Sequence, residues 1–445
     1  MLRICAYEQE AYSGRLADKQ AKGKLGNYLV GLRVIKDSLQ RAGYTVDWAD
    51  ALQLRRYNVV LVSITSDRDW LPFIAERLKW PQGVYKVIVG GPGVANVRPF
   101  LEFADCFVLG RGENLIVNII HYMESGEQYI DESVIWSDQF SMDKTYRFRQ
   151  EPLYPHFIEL ERGGWNESNI GCPYKCRFCA YTHHRRHTGG GVFATGGQVF
   201  KPSNLYGDRE FTMMDLISGK RGRIGALNIT ALDGFSERLR KMVNKPISRD
   251  GFREFLRLVL QEGRNYRFKM YNIVGLPTEC EDDYAEFMED IEFADKRSRW
   301  SSKVTIELQC TPFRATPVTP AACWPMAYKD HRDIAKLLRA AAGVKTFDRA
   351  GTVYDGKHLN VFVSRYTESL STTALAAICI RGTESDSRNI KRLAERYDEF
   401  VALDSRAQLA LLQKGFDLIT LFGAYTPEDL PTRNIQTYTQ IIYAN

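Results

Sequence analysis

The sequence predicts an α/β protein. Short β-branched runs alternate with amphipathic stretches over its first third, serine and glycine gather where those runs end, and 44% hydrophobic with 26% charged content over 445 residues is that of ordinary globular domains. Strands alternating with helices argue for a parallel sheet covered on both faces, a doubly wound, Rossmann-like domain over residues 1–125.

Its elements follow in order. LRICAY (2–7) reads as a strand, YLVGLRVIKDSLQRAG (28–43) as a helix stopped by Gly43, YTVDWA (44–49) as a strand and NVVLVSI (58–64) as a buried strand. WLPFIAERLKW (70–80) reads as a helix, YKVIVGG (85–91) as a strand, then a weaker helix and CFVLG (106–110). Ligands of such sheets sit beyond the carboxyl ends of the strands. Those ends carry Ser63, Gly90, Gly91, Gly110, Gly112 and Glu113, where glycine serves either a tight turn or close approach of a bulky ligand.

Sixty Lys and Arg against 54 Asp and Glu leave a net charge of +6, which permits an anionic substrate without demanding one. No apolar run approaches a membrane span and no secretory signal opens the chain, so a cytoplasmic protein without a membrane partner is expected. Of nine cysteines, Cys5, Cys106, Cys280, Cys310, Cys323 and Cys379 are scattered, which argues against a disulfide framework.

Cys172, Cys176 and Cys179 crowd into NIGCPYKCRFCAY (169–181). Together with His183 they offer a Cys3His zinc set, but structural zinc sites usually draw on two separated pairs. A single C-x3-C-x2-C loop suits a cubane 4Fe-4S cluster in which three irons each take one thiolate. Both remain open on spacing alone. THHRRHTGGG (182–191) follows, and His183, His184, Arg185, Arg186 and His187 there suit either a solvated face or the phosphate oxygens of a substrate.

CPYKCRFC, with Phe178 before its last cysteine, resembles the cluster loop of the radical S-adenosylmethionine (SAM) enzymes. The resemblance implies a partial (β/α)6 barrel over 151–325, and an iron left open to chelate SAM and cleave it reductively to a 5′-deoxyadenosyl radical. IELERG (158–163) resembles the approach to that loop, interrupted by GWNESNI (164–170), which is either a surface excursion or a substrate contact. LDGFSERLRKMVNK (232–245) resembles a barrel segment of the class at Ser236, Glu237, Arg238, Leu239, Arg240, Asn244 and Lys245. FKMYNIVGLPTE (268–279) resembles the fifth barrel strand. By the resemblance, Ile273, Val274 and Gly275 lie near the SAM adenine, and Glu237 and Arg240 near its ribose and carboxylate. REFTMMD (209–215) would be the second strand, ending at Asp215, and KVTIELQCTPFRATPVTP (303–320) the sixth.

The N-terminal order VSI, GlyGly and GxGE resembles the cobalamin-binding domain of one class of these enzymes. The usual Asp-x-His-x-x-Gly falls on AKGKLG (21–26), where Gly23 replaces the histidine, and no histidine precedes His121. Either cobalamin binds without a protein imidazole or the domain is a remnant that binds none. Residues 126–150 read as a linker, and 326–445 as a mixed α/β, mainly helical extension that caps the barrel or mediates dimerisation. Within it, KDHRDIAKLLRAAAG reads as a helix and VYDGKHLNVFVSR as a β-turn-β unit.

The function implied is radical SAM modification of an unactivated carbon, with cobalamin-dependent C-methylation leading. A cobalamin-free rearrangement, cyclisation or isomerisation, including one on a nucleobase of DNA or RNA, is the alternative. A zinc-stabilised nucleic-acid binder is the alternative of another class. The implied partners are an electron donor of flavodoxin or ferredoxin type and a substrate that is a small molecule or a nucleic-acid base.

Overall fold

The computed structural model describes residues 2–7, 30–65, 73, 76–81, 83, 85–95, 97, 101, 103–127, 129–141, 144, 146–160, 163–167, 169–170, 176–179, 188–189, 198–200, 229–261, 266–299, 303–313, 321, 331–343 and 351–364. It is a mixed α/β protein whose two larger sheets are mainly parallel.

The first sheet has β1 (Ile4–Tyr7), β2 (Val46–Ala49), β3 (Val59–Ser63), β4 (Lys86–Gly90), β5 (Cys106–Val108) and β6 (Val134–Trp136) in the order β2-β1-β3-β4-β5-β6. The central strands are buried on both faces, as their unbroken apolar runs require. Helices α1 (Val30–Arg41) and α2 (Leu115–Ser125) cover one face, meeting Ile4, Leu61, Ile88 and Val108. Phe73, Trp80, Tyr85 and Phe103 pack on the other against Val60, Val62 and Val89. Strand order reverses between β1 and β3, the switch point at which such sheets take ligands. AKGKLG follows β1 and lies outside the described residues. The expected linker holds β6, which closes the sheet edge antiparallel to β5.

A smaller antiparallel sheet joins β7 (Ile158–Leu160), β8 (Gly163–Asn166) and β11 (Gln198–Phe200) in the order β11-β8-β7. The approach to the cysteines is thus a hairpin, with Leu160 opposite Gly163. Next, β9 (Asn169–Ile170) pairs with β10 (Thr188–Gly189), Ile170 opposite Thr188. The chain between those two strands holds all three clustered cysteines and the HHRRH run.

The third sheet runs β12-β13-β14-β16-β15, from β12 (Ile229–Ala231), β13 (Tyr266–Val274), β14 (Val304–Pro312), β15 (Thr352–Asp355) and β16 (Leu359–Ser364). Its first four strands in that order are parallel, and β15 returns antiparallel on β16. Helices α3 (Glu237–Met242), α4 (Arg249–Gln261), α5 (Glu281–Arg297) and α6 (His331–Ala341) complete the unit. Apolar positions three and four apart, such as Phe252, Phe255, Leu256 and Val259 on α4 and Tyr284, Phe287, Met288 and Ile291 on α5, build one core with Phe268, Met270, Leu308 and Val361. This sheet continues past residue 325: β16 docks beside β14 with Val304 opposite Leu359, and Ile334 and Leu338 of α6 enter the same core. The first part of the expected capping extension therefore belongs to the same sheet and core as β12–β14. Residues 365–445, with the helices expected there, lie outside the described residues.

Candidate functional site

The segment that leaves β12 and enters α3 is tied to the loop after β13, and the cysteine turn sits at the end of that helix. Past Ala231 the chain turns up through Asp233, a non-glycine residue at φ 62°, and enters α3 at Ser236, whose hydroxyl accepts from Leu239 N at 3.2 Å. The same hydroxyl donates to Asp283 at the start of α5. Arg238 reaches the loop after β13, donating to Thr278 Oγ1 and Thr278 O, each at 2.8 Å, and to Asp283 at 2.6 Å. Lys245 and Asp233 form a buried ion pair at 2.6 Å. The Ser-Glu-Arg segment thereby locks the rim of one strand to that of the next.

Two residues expected near SAM are spent on this lock. Arg240 is completely buried, donating to Ile247 O at 2.8 Å, Phe235 O at 2.9 Å and Gly234 O at 3.1 Å, and burial pulls its guanidinium down to about 10. Glu237 accepts from Arg249 N at 2.9 Å and pairs with Lys241, whose hydrogen bond leads in holding its carboxyl below the usual range. These bonds hold α3 to the loop that follows it.

The cysteine turn sits on α3. Arg177 N donates to Val243 O and Arg177 O accepts from Ala321 N, both at 2.9 Å, while Cys179 N closes the turn on Cys176 O at 3.0 Å. Cys176 is 7% exposed, and Phe178 and Cys179 are half-buried. Neither cysteine is in a disulfide. Cys172, Asp215, His183, His184, Arg185, Arg186 and His187 lie outside the described residues, and among the described residues no group of three metal-ligating side chains gathers.

At the end of β13, Gly275 takes φ 73°, a conformation that glycine adopts without steric cost, and Leu276 N is held by Glu279 at 3.1 Å. Val274 points into the helix-side core and its carbonyl accepts from Phe313 N at 2.7 Å, so its side chain is closed to a ligand. Ile273 lies on the opposite, half-buried face. That face is polar below it, with Tyr271, Gln309 and Ser364 in one cross-strand row and Glu307 in the next, tied to Arg267 at 2.8 Å and to Gln309 at 3.1 Å.

On the first sheet, Ser63 and Gly90 are register partners at adjacent strand ends. Gly91, at φ 101°, has no room for a side chain, because a Cβ there would lie 2.5 Å from Ile64 O. It serves the turn itself. A Cβ on Gly90 would meet nothing nearer than Val108 at 3.8 Å, leaving Gly90 as the point open to close approach.

Sequence reasoning missed Asp233, Lys245 as its partner, and Asp283. The nearest available signal was the alternation of charge around each short motif, which does not show which charges are buried. Among the described residues no helix is long and apolar enough to cross a membrane.

No protein-family model matches this chain. An uncharacterised protein of Methanocaldococcus jannaschii is 23% identical over 318 residues, which are 60% of this chain and 68% of that protein. Among solved structures, the cobalamin-dependent S-adenosylmethionine radical enzyme OxsB in its apo form aligns with all of this chain at 11% identity and a TM-score of 0.30, and the chain spans 61% of it. The same enzyme with aqua-cobalamin and S-adenosylmethionine bound gives 10% identity, a TM-score of 0.30 and 62% of its length. Superposition at that level does not establish a shared fold.

Proposed function

We propose that this protein is a radical SAM enzyme. The observation that carries the reading is the backbone clamp on Arg177, which seats the cysteine turn at the end of α3, beside the rim of a parallel sheet, where two separately recognised motifs meet. The donor set fits a 4Fe-4S cluster: thiols on one tight turn, Cys176 shielded from solvent, and Cys172 four residues earlier as the third ligand. Bound at these three cysteines, the cluster would supply the electron that cleaves SAM. The chain's own part is to hold the thiols at fixed separation through Arg177, to keep water from Cys176, and to offer the half-buried face of Ile273 to the nucleoside end of SAM. The polar row of Tyr271, Gln309 and Ser364 would orient a hydrogen-bonding substrate beneath it, and His183, His184, Arg185, Arg186 and His187 would contact its anionic groups.

The fuller form of the proposal is cobalamin-dependent C-methylation, with reducing equivalents from a flavodoxin- or ferredoxin-type donor. Ser63 and Gly90 suit a corrin approaching the first sheet, and Gly91 makes the turn beside them. Gly23 in the histidine's place favours as second reading a cobalamin-free radical rearrangement.

Anaerobic purification followed by iron, sulfide, zinc and cobalamin analysis separates the readings. Iron and sulfide in equal amounts support the radical enzyme, and cobalamin in addition supports methylation. Stoichiometric zinc without iron overturns both.

A further inference from the structure

The GWNESNI stretch supplies most of the second strand of the approach hairpin, and the residue after that strand, Glu167, makes a buried grip on the first sheet. Glu167 takes the guanidinium of Arg111 in a fork, 2.6 Å to NH1 and 2.8 Å to NH2, and accepts from Tyr154 N at 2.6 Å. Arg111 belongs to the LGRGE turn after β5 and also pairs with Glu113 of the same turn. All three side chains are largely withdrawn from water, at 12% exposure for Arg111, 9% for Glu113 and 7% for Glu167. A second fastening lies beside it, where the Tyr154 hydroxyl donates to Asp37 of α1 at 2.6 Å. The turn that looked like a ligand edge is therefore occupied by the chain itself. An isolated surface pair would matter little, but a dry, two-pronged pair with each partner further bonded fixes direction as well as distance.

We propose that Glu167 is a positioning residue: its grip on Arg111 fastens the segment that leads into the cysteine turn to the rim of the N-terminal sheet, and so limits the movement of Cys176. In sequence, Glu167 stands two residues before β9, five before Cys172 and nine before Cys176, so the anchor is close along the chain to the thiols. At Glu167 the insertion is thus a strap between the two domains and not a surface excursion. The role rests on the radical SAM reading only for its purpose, since the strap orders the thiols whether or not iron binds them.

The test uses full-length protein without metal and iodoacetamide as the probe. Glu167→Gln keeps the size of the side chain and leaves the Arg111–Glu113 pair in place, so folding should survive. Alkylation of Cys176, read by mass spectrometry, should accelerate about tenfold, reflecting local opening of the loop. Buried Cys310 and exposed Cys280 should keep their wild-type rates. Arg111→Gln, which cuts the same pair from the other side, should accelerate Cys176 similarly, and the double variant should add little further. Equal acceleration of Cys176 and Cys310 would mean general loosening and would overturn the positioning role, as would an unchanged Cys176 rate or fully additive effects of the two substitutions. A parallel reconstitution with iron and sulfide tests the reading itself: no cluster in wild-type protein sinks that reading while the alkylation result stands.

Discussion

Replacing Arg240 with methionine separates two roles that a sequence motif cannot. The guanidinium is completely buried and gives three hydrogen bonds to the carbonyls of Gly234, Phe235 and Ile247, at 3.1, 2.9 and 2.8 Å. Methionine nearly keeps the volume and removes every donor. Three buried carbonyls left unsatisfied cost about 1–3 kcal/mol each, and relief of the buried charge offsets part of this, for a net loss of about 3–5 kcal/mol. Spread over a domain of this size, that is a fall in melting temperature of roughly 6–20 °C. Thermal and urea unfolding of the cofactor-free protein, followed by circular dichroism, measures it, and equilibrium dialysis with SAM measures the alternative. Unchanged unfolding with SAM affinity lost would show that Arg240 faces the ligand and would refute the architectural assignment.

Other outcomes follow from the same geometry. Iodoacetamide at pH 8 should label exposed Cys280 in the native protein and spare Cys5, Cys106 and Cys310, whose thiols burial pushes up, that of Cys5 to about 12. Peptide mapping checks this, and fast labelling of Cys310 would contradict it. Gly91→Ala should destabilise the N-terminal domain by about 2 kcal/mol or more through its positive φ and the approach to Ile64 O. Gly90→Ala, with open space before it, should stay within about 0.5 kcal/mol. Chemical denaturation compares them, and equal losses would refute the distinction. Lys245→Met should cost about 3–5 kcal/mol by stranding Asp233, a loss that Asp233→Asn in the same chain should partly restore.

Much of the fold was legible because it is written in local pattern. The run VVLVS could only be a strand buried on both faces, and the spacing of Phe252, Phe255, Leu256 and Val259 gave a one-sided helix. What was not legible depended on distant partners. GGWN carries little strand propensity and becomes one by pairing across a tight hairpin with Ile158–Leu160. The joining of β16 to β14 brings together Val304 and Leu359, far apart in sequence. At the site, the cysteine spacing was readable directly. The burial of Arg240 was not, since the resemblance put it beside a ligand and nothing in RLRKM shows that it is enclosed. Glu167 likewise looked like a loop residue because nothing near it announces Arg111.

The central claim is that Cys172, Cys176 and Cys179 hold a cluster that cleaves SAM. Anaerobically reconstituted wild-type protein, given SAM and dithionite, should form 5′-deoxyadenosine, while Cys176→Ala and Cys179→Ala, each lacking one iron's protein ligand, should form none above background and keep wild-type circular dichroism. Full deoxyadenosine formation by either variant, or none by a wild-type protein that carries its iron and sulfide, would contradict it.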